Sequence, residues 1–354
     1  MKAGSRTANR ILFSIAVARE STITGKKFLH VSAGLLMTIL CLAAALWGLD
    51  LEELSRSFSG LNFATLPLNL ALLFLFFWLK AIRWRFLLSP LRVFRTQEIV
   101  PSLMIGFMGN NILPAHLGEL IRVFVLGRQF TLSKAAVLST VILERVLDML
   151  VILIFVGIGL RFVEGLPSWV QTTALSMSGF ALFISLILLA FVFRTRLFLE
   201  AYRKMFHFLP SRSFHKIDEF MASMAHGLGS IKNIRTAFWI ILTSFLQWTV
   251  MGGMIYVSLA SLGLWLSPMA AFITTGVSAL AAAIPSTPGY FGVIQLAFWV
   301  SLQLFGVTKA DAFASSIYFH LCQYIPVTLV GLYYANRLGL RLNQLEQKVT
   351  EKQK

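Results

Sequence analysis

The sequence predicts an all-α polytopic membrane protein, and three observations predict it. Apolar residues make up 57% of the chain and charged residues only 13%, a balance far greasier than soluble cores require. Uninterrupted apolar runs reach the length of about 20 residues that a helix needs to cross a hydrocarbon core of about 30 Å. Period-two alternation, the signature of a membrane barrel, is absent. About six full spans and two re-entrant or broken helical hairpins account for the runs.

The first span is read at 28–48. Before it, residues 1–27 form a basic segment with Lys2, Arg6, Arg10, Arg19, Lys26 and Lys27, whereas the following connection carries Asp50, Glu52 and Glu53 against Arg56. Basic flanks stay in the cytoplasm, so the N-terminus is predicted there. Ala43-Ala44-Ala45 could mimic a cleavage site, but the long polar lead and extended apolar run fit a retained anchor. The second span is 66–88. The segment 98–127 follows, flanked by Arg92 and Arg95 on one side and Arg128 and Lys134 on the other. It therefore enters and leaves from the cytoplasm. Its arms, 99–109 and 115–127, are each short of a crossing, and Gly109-Asn110-Asn111 followed by Pro114 breaks the helix between them.

Spans at 135–162 and 172–193 come next. The connection 194–236 mixes apolar residues (Tyr202, Met205, Phe206) with Arg203, Lys204, Arg212 and Lys216, a pattern of interfacial amphipathic helices on the cytoplasmic side. It is too short for a catalytic core. After the span 237–262, the segment 268–305 is interrupted by Pro285-Ser286-Thr287-Pro288-Gly289-Tyr290-Phe291-Gly292 and has flanks poor in basic residues, so this hairpin enters from the opposite face. The last span, 311–335, leads into a basic cytoplasmic tail, 337–354.

Residues 28–336 thus form a single transmembrane domain with halves 28–165 and 172–336, each reading span, span, hairpin, span. An odd number of crossings inverts the second half relative to the first, the arrangement by which many transporters build a midplane site from discontinuous helices. This repeat rests on hydropathy and charge, because the halves share no residue-level similarity. Full crossings by the hairpin arms would keep the ends in place and change the count.

A net charge of +16 suits nucleic acid in a soluble protein. Here the basic residues flank spans, where they orient the chain and attract anionic headgroups, and no nucleic-acid partner is expected. The GxxxxGK[ST], HExxH and GxSxG patterns do not occur, which removes the usual signatures of nucleotide-driven pumping and hydrolysis. Cys41 and Cys322 sit in apolar runs without metal-ligand spacing. No metal or cofactor is expected.

The chemistry concentrates in a few polar residues within apolar segments. His116, Glu119 and Arg122 recur at three-residue spacing and share a face if 115–127 is helical. Each charge costs about 2.5–3.5 kcal/mol at the bilayer centre on insertion scales, so the set must pair or meet water. A Glu119–Arg122 pair solvated at the hairpin mouth is the plain reading; a polar lining to a substrate path is the functional one. A second set is Glu144, Arg145 and Asp148, where Arg145 and Asp148 can pair along the helix and the net negative charge calls for Arg122 or the Lys80–Arg85 segment across the bundle. By default Lys80, Arg83 and Arg85 snorkel from a helix end to phosphates. Gln247, His320 and Gln323 read as hydrogen-bonding glue between helices. In the second break, Gly289 and Gly292 allow close backbone approach, and broken helices offer free N–H groups to an anion.

Asn110, Pro114, Gly118, Glu119 and Arg122 in the pattern N-x3-P-x3-GE-x2-R, then ERVLD at 144–148, then Pro285, Pro288, Gly289, Gly292 and Gln295 in P-x2-PGYFGV-x-Q, resemble in family order the flippase-like transmembrane family named for lysylphosphatidylglycerol synthase. The resemblance covers nearly everything after about residue 25. It implies movement of charged lipids, such as aminoacylated phosphatidylglycerol, or links to polyprenyl-linked sugar and hopanoid pathways. It also implies a bacterial or archaeal cytoplasmic membrane. The sequence carries no soluble aminoacyl-transferring domain after the membrane region, so synthase activity is not implied.

The sequence thus leads to a lipid flippase or transporter for a charged or polyprenyl-linked lipid, with partners among membrane lipids of anionic or zwitterionic headgroup. The competing reading is a scaffold or regulator working with lipid-biosynthesis enzymes. An embedded transferase using Glu119 or Asp148 as base lacks an accompanying nucleophile, metal set or donor motif.

Overall fold

The computed structural model describes residues 39–113, 116–161, 211–283 and 288–340, with isolated residues at 36 and between 172 and 204. The first part of the expected span 28–48, up to residue 38 apart from Leu36, most of the expected span 172–193, the terminal segments 1–27 and 341–354, and Pro114 and Pro285 lie outside the described residues. The described part is helical: α1 (Leu51–Ser59), α2 (Leu66–Leu87), α3 (Thr96–Ile112), α4 (Leu117–Gln129), α5 (Lys134–Arg161), α6 (Ser211–Gly227), α7 (Ile234–Ala260), α8 (Pro268–Ala283), α9 (Val293–Leu302) and α10 (Lys309–Arg337).

Local chemistry sets several of these boundaries. Asp50 caps α1 by accepting from the Glu52 N–H, Asn233 caps α7 by accepting from Arg235 and Thr236, and Thr308 caps α10 by accepting from Asp311. Pro67 sits in the first turn of α2, where a missing N–H costs nothing. At the start of α3 the Glu98 carboxylate accepts from the Arg95 N–H at 2.6 Å. Among the described residues, three helical stretches, 63–87, 234–260 and 309–337, are long and apolar enough to cross a bilayer. Helix α5 runs for 28 residues, about 42 Å at 1.5 Å per residue, and carries ERVLD in its middle.

Between these long helices lie two broken hairpins, α3–α4 and α8–α9. The first arm is longer than the sequence predicts, 17 residues in α3, because the apolar reading stops at polar residues that the helix includes. Helix α2 packs along α7, α3 packs against α4 and α10, α8 packs against α9 and α5, and α6 lies on α5. Trp84, Leu87, Ile99, Leu103, Leu126 and Val137 form one core at the α2–α5 end. Phe76, Met254, Ile255, Phe298 and Phe319 form another between α2, α7, α9 and α10. Each hairpin is therefore braced by a long helix from the other half of the chain.

Close approach inside the first hairpin depends on one glycine. A Cβ on Gly118 would collide with the Gly106 carbonyl oxygen and with the backbone nitrogen and side-chain oxygen of Asn110. That contact holds α4 directly on α3 and explains why Asn110 is buried.

Candidate functional site

Helix α2 brings Lys80 and Arg83 into the bundle, and α5 presents Glu144 and Asp148 to them. Lys80 Nζ lies 3.0 Å from Glu144 Oε1 and 3.5 Å from Asp148 Oδ2. Arg83 reaches the same Glu144 oxygen at 3.0 Å through Nη2 and Asp148 Oδ1 at 2.5 Å through Nη1. From α4, Arg122 Nη2 lies 3.0 Å from Glu144 Oε2, with its guanidinium over the Trp84 ring at 4.9 Å. Asp148 Oδ1 also accepts from Gln247 Nε2 and Trp248 Nε1, each at 2.8 Å, and Arg83 donates to Ser244 at 3.1 Å. All five charged side chains are buried. Three cations here face two carboxylates.

These pairings correct three expectations. Lys80 and Arg83 do not snorkel: they sit inside the helix bundle, where burial without a carboxylate would be prohibitive. Arg85 instead donates to Thr96 at 3.2 Å. Arg145 pairs with Glu119 of α4 rather than with Asp148, because Asp148 turns inward to α2 and α7 while Arg145, three positions earlier, points to the hairpin. Glu119 accordingly does not pair with Arg122, which turns to Glu144. The condition for His116, Glu119 and Arg122 sharing a helical face is not met: α4 starts at Leu117, and His116 precedes it with φ 55°, although His116 and Glu119 line one cavity. Gln247 does join helices, as expected, through its bond to Asp148.

The two breaks in the chain lie against each other. His116 Nε2 meets the Ala282 carbonyl at 2.9 Å, and its ring centroid is 5.5 Å from that of Tyr290. Asn111 Nδ2 donates to Thr328 at 2.9 Å and to the Tyr324 carbonyl at 3.3 Å on α10. In the second break, Gly289 has φ 71°, and a Cβ there would press on the Tyr324 ring and the Asn111 carbonyl. The Gly292 N–H is not free for an anion, since it donates to Gln295 Oε1 at 2.7 Å. That bond orients the Gln295 amide, so its Nε2 donates to His320 Nδ1 at 3.2 Å, and His320 Nε2–H donates to the Gly289 carbonyl at 2.7 Å. The PGYFG turn is thus tied to α10 by a neutral histidine.

Between the hairpins and α2, α5, α7 and α10 lies a cavity of about 470 Å³. Its polar lining includes Lys80, Asn110, Asn111, His116, Glu119, Arg145, Asp148, Tyr290, His320 and Gln323, and its apolar lining includes Phe76, Phe77, Phe107, Ile152, Trp248 and Met251. Among the residues singled out from sequence, Asn110, His116, Glu119, Arg145 and Asp148 reach the cavity, as do His320 and Gln323, which the sequence offered as hydrogen-bonding glue. Arg122 and Glu144 stand behind its wall, and Gly289, Gly292 and Gln295 shape the second break without lining it; Pro288 opens that turn. Sequence reasoning missed Lys80 as a cavity residue, and Thr275 and Ser278 of α8. The signal for the latter pair is a hydroxyl at i and i+3 on one face of an otherwise apolar helix.

The profile of the lysylphosphatidylglycerol synthase transmembrane region matches residues 31–331. A UPF0104 membrane protein of Methanocaldococcus jannaschii is 28% identical over 227 residues, covering 63% of this chain and 90% of that protein. The glycosyltransferase AglD of Haloferax volcanii is 27% identical over 331 residues, covering 84% of this chain and 53% of that protein. The chain thus spans about half the length of this second relative.

Proposed function

We propose that this chain, which belongs to the lysylphosphatidylglycerol synthase transmembrane-region family, moves a charged or polyprenyl-linked lipid across the cytoplasmic membrane. The observation that carries this reading is the double lining of the cavity. Charged and amide groups from α3, α4, α5 and α10 suit a headgroup, and the aromatic and aliphatic wall suits the lipid's apolar start. Irregular backbone at membrane depth persists where it is buried in protein or lines a polar cavity, and both hairpin breaks adjoin this one. The name of the Haloferax relative favours a sugar-bearing lipid among the candidates, and Asn111, Gln323, Thr275 and Ser278 supply groups that suit hydroxyls.

The architecture we propose is an inverted repeat within one transmembrane domain, with both termini and the 194–236 connection in the cytoplasm. Support comes from the packing: α3 on α10 is matched by α8 on α5, while α2 and α7 pack on each other. Exchanging the halves reproduces this pattern. Enzymatic use of Glu119 or Asp148 as a base is disfavoured because each carboxylate is engaged by an arginine. The scaffold reading draws on a different observation, the ion-paired state of the buried cluster, which would suffice to hold helices together.

Reconstitution decides between them. Vesicles containing only this protein and a fluorescent phospholipid should expose inner-leaflet label to dithionite faster than protein-free vesicles. Rates equal to the protein-free control across anionic, zwitterionic and glycosylated lipids would leave the scaffold reading.

A further inference from the structure

We infer that the cavity takes a phosphate-bearing headgroup of net negative charge, anchored by Arg145, and that Glu119 is the internal anion which this headgroup displaces and which later expels it. The inference rests on the transport reading for its lipid, but the charge chemistry stands on the site itself.

The first observation is a count. Lys80, Arg83 and Arg122 face Glu144 and Asp148 in one set of ion pairs, and one position along α5 from Glu144 a separate pair joins Arg145 to Glu119. Together the two sets hold four formal positive charges against three negative, and Lys80 and Asp148 of the first set line the same cavity as Arg145 and Glu119. A surplus charge away from bulk water is costly. One monoanion completes the balance, whereas a cationic headgroup would double the surplus.

The second observation is access. The side chains of Arg83, Arg122 and Glu144 are 2% exposed or less, and the Lys80 ammonium is held between two carboxylates with the Phe76 and Phe107 rings within 5.6 Å. Arg145 is 43% exposed and Glu119 20%, and both line the cavity. An arriving anion therefore meets Arg145. The third observation is valency. Glu119 engages Arg145 through Nη2, while a guanidinium fork offers five donors and binds a phosphate through two side by side. A phosphate can thus replace Glu119 with a gain in hydrogen bonds. Glu119, still on α4 beside the site, competes for the guanidinium and promotes release.

This arrangement predicts opposite effects from its two members, which a purely structural ion pair would not give. The purified full chain in detergent is titrated with short-chain phosphatidylglycerol, short-chain phosphatidylcholine, a short-chain trimethylammonium lipid and inorganic phosphate, following thermal unfolding. Phosphatidylglycerol should raise the unfolding temperature, and the apparent affinity should fall about tenfold or more in Arg145→Gln, in line with loss of a charge-assisted bond. In Glu119→Gln it should tighten. Lipid movement in vesicles should nonetheless slow in Glu119→Gln, because release loses its competitor. Arg128→Gln, on the exposed end of α4, should bind as the parent does. The double variant Glu119→Gln/Arg145→Gln serves if Arg145→Gln alone fails to fold, and it should bind as weakly as the single change is expected to. Equal response to the cationic lipid, unchanged affinity in the variants lacking Arg145, or weakened binding in Glu119→Gln would overturn the inference. Saturation by inorganic phosphate with no response to the lipid would uphold the anion site and instead remove the lipid reading.

Discussion

At the scale of single residues, Glu144 holds the buried charges together. Its two oxygens serve Lys80, Arg83 and Arg122, each at 3.0 Å. Glu144→Gln removes the shared anion and strands three cations that Asp148 alone must then balance, so it should destabilise the protein by about 3–5 kcal/mol, the usual cost of breaking a buried pair. Arg122→Ala should cost about 3 kcal/mol, the lower end of that range, because Glu144 keeps two partners. Arg128→Ala, at an exposed position, should fall within about 0.5 kcal/mol of the parent. Thermal unfolding of the three variants in one detergent ranks them, and an Arg122 variant as mild as Arg128→Ala would place that guanidinium in water. The need for partners around ERVLD was legible in the sequence, since charges in an apolar run must be neutralised. The candidate partners, Arg122 and the Lys80–Arg85 segment, were legible too, and Lys80, Arg83 and Arg122 are the ones that pair; that Lys80 and Arg83 turn inward rather than snorkel was not. Lys80 lies seven residues before the end of α2, about 10 Å by helical rise, a distance a lysine stem can partly cover by snorkelling. Only the facing of α5 decides that it turns inward.

At the scale of elements, the two hairpins show what local sequence can and cannot specify. Gly and Pro residues mark breaks because they disrupt helical hydrogen bonding. The second break lies at the Pro288-Gly289 turn as the sequence puts it, whereas Gly109-Asn110-Asn111 stay helical inside α3 and the first break begins only after Ile112. Tertiary contact fixes the rest. The sequence offered the broken helix as a source of free N–H groups for an anion, but the Gly292 N–H is taken by Gln295, a residue three positions later whose amide reaches back to the turn. Two substitutions test the dependence on close approach. Gly118→Ala should weaken the α3–α4 hairpin by about 1–3 kcal/mol, the usual cost of overpacking, since the new Cβ meets the backbone of Gly106 and Asn110, which cannot swing aside. Gly289→Ala adds the strain of a positive φ to contact with Tyr324, and should lower the unfolding temperature and shift protease sensitivity to the PGYFG turn. Unfolding of Gly118→Ala at the parental temperature would mean that α4 does not rest on α3 as closely as described.

At the scale of the whole molecule, the paired packing of α3 with α10 and α8 with α5 brings the two halves into a common argument with the charge pattern. If the halves are inverted, the first hairpin must open to one side of the membrane and the second to the other, and the basic connection 194–236 and both termini must share a side. The connection after the first span, with Asp50, Glu52 and Glu53, must lie opposite. Helix α1 gives a reporter there: Ser55 is exposed on it. In a background with Cys41 and Cys322 replaced by serine, Ser55→Cys should react with a membrane-impermeant maleimide in intact cells. Under the proposed topology, His215→Cys and Thr350→Cys should react only after permeabilisation, since basic flanks favour the cytoplasmic side. The measurement separates architecture from function. Labelling of position 215 or 350 in intact cells would break the inversion, and with it the argument that the two hairpins approach one cavity from opposite faces, while leaving the ion-paired cluster around Glu144 intact.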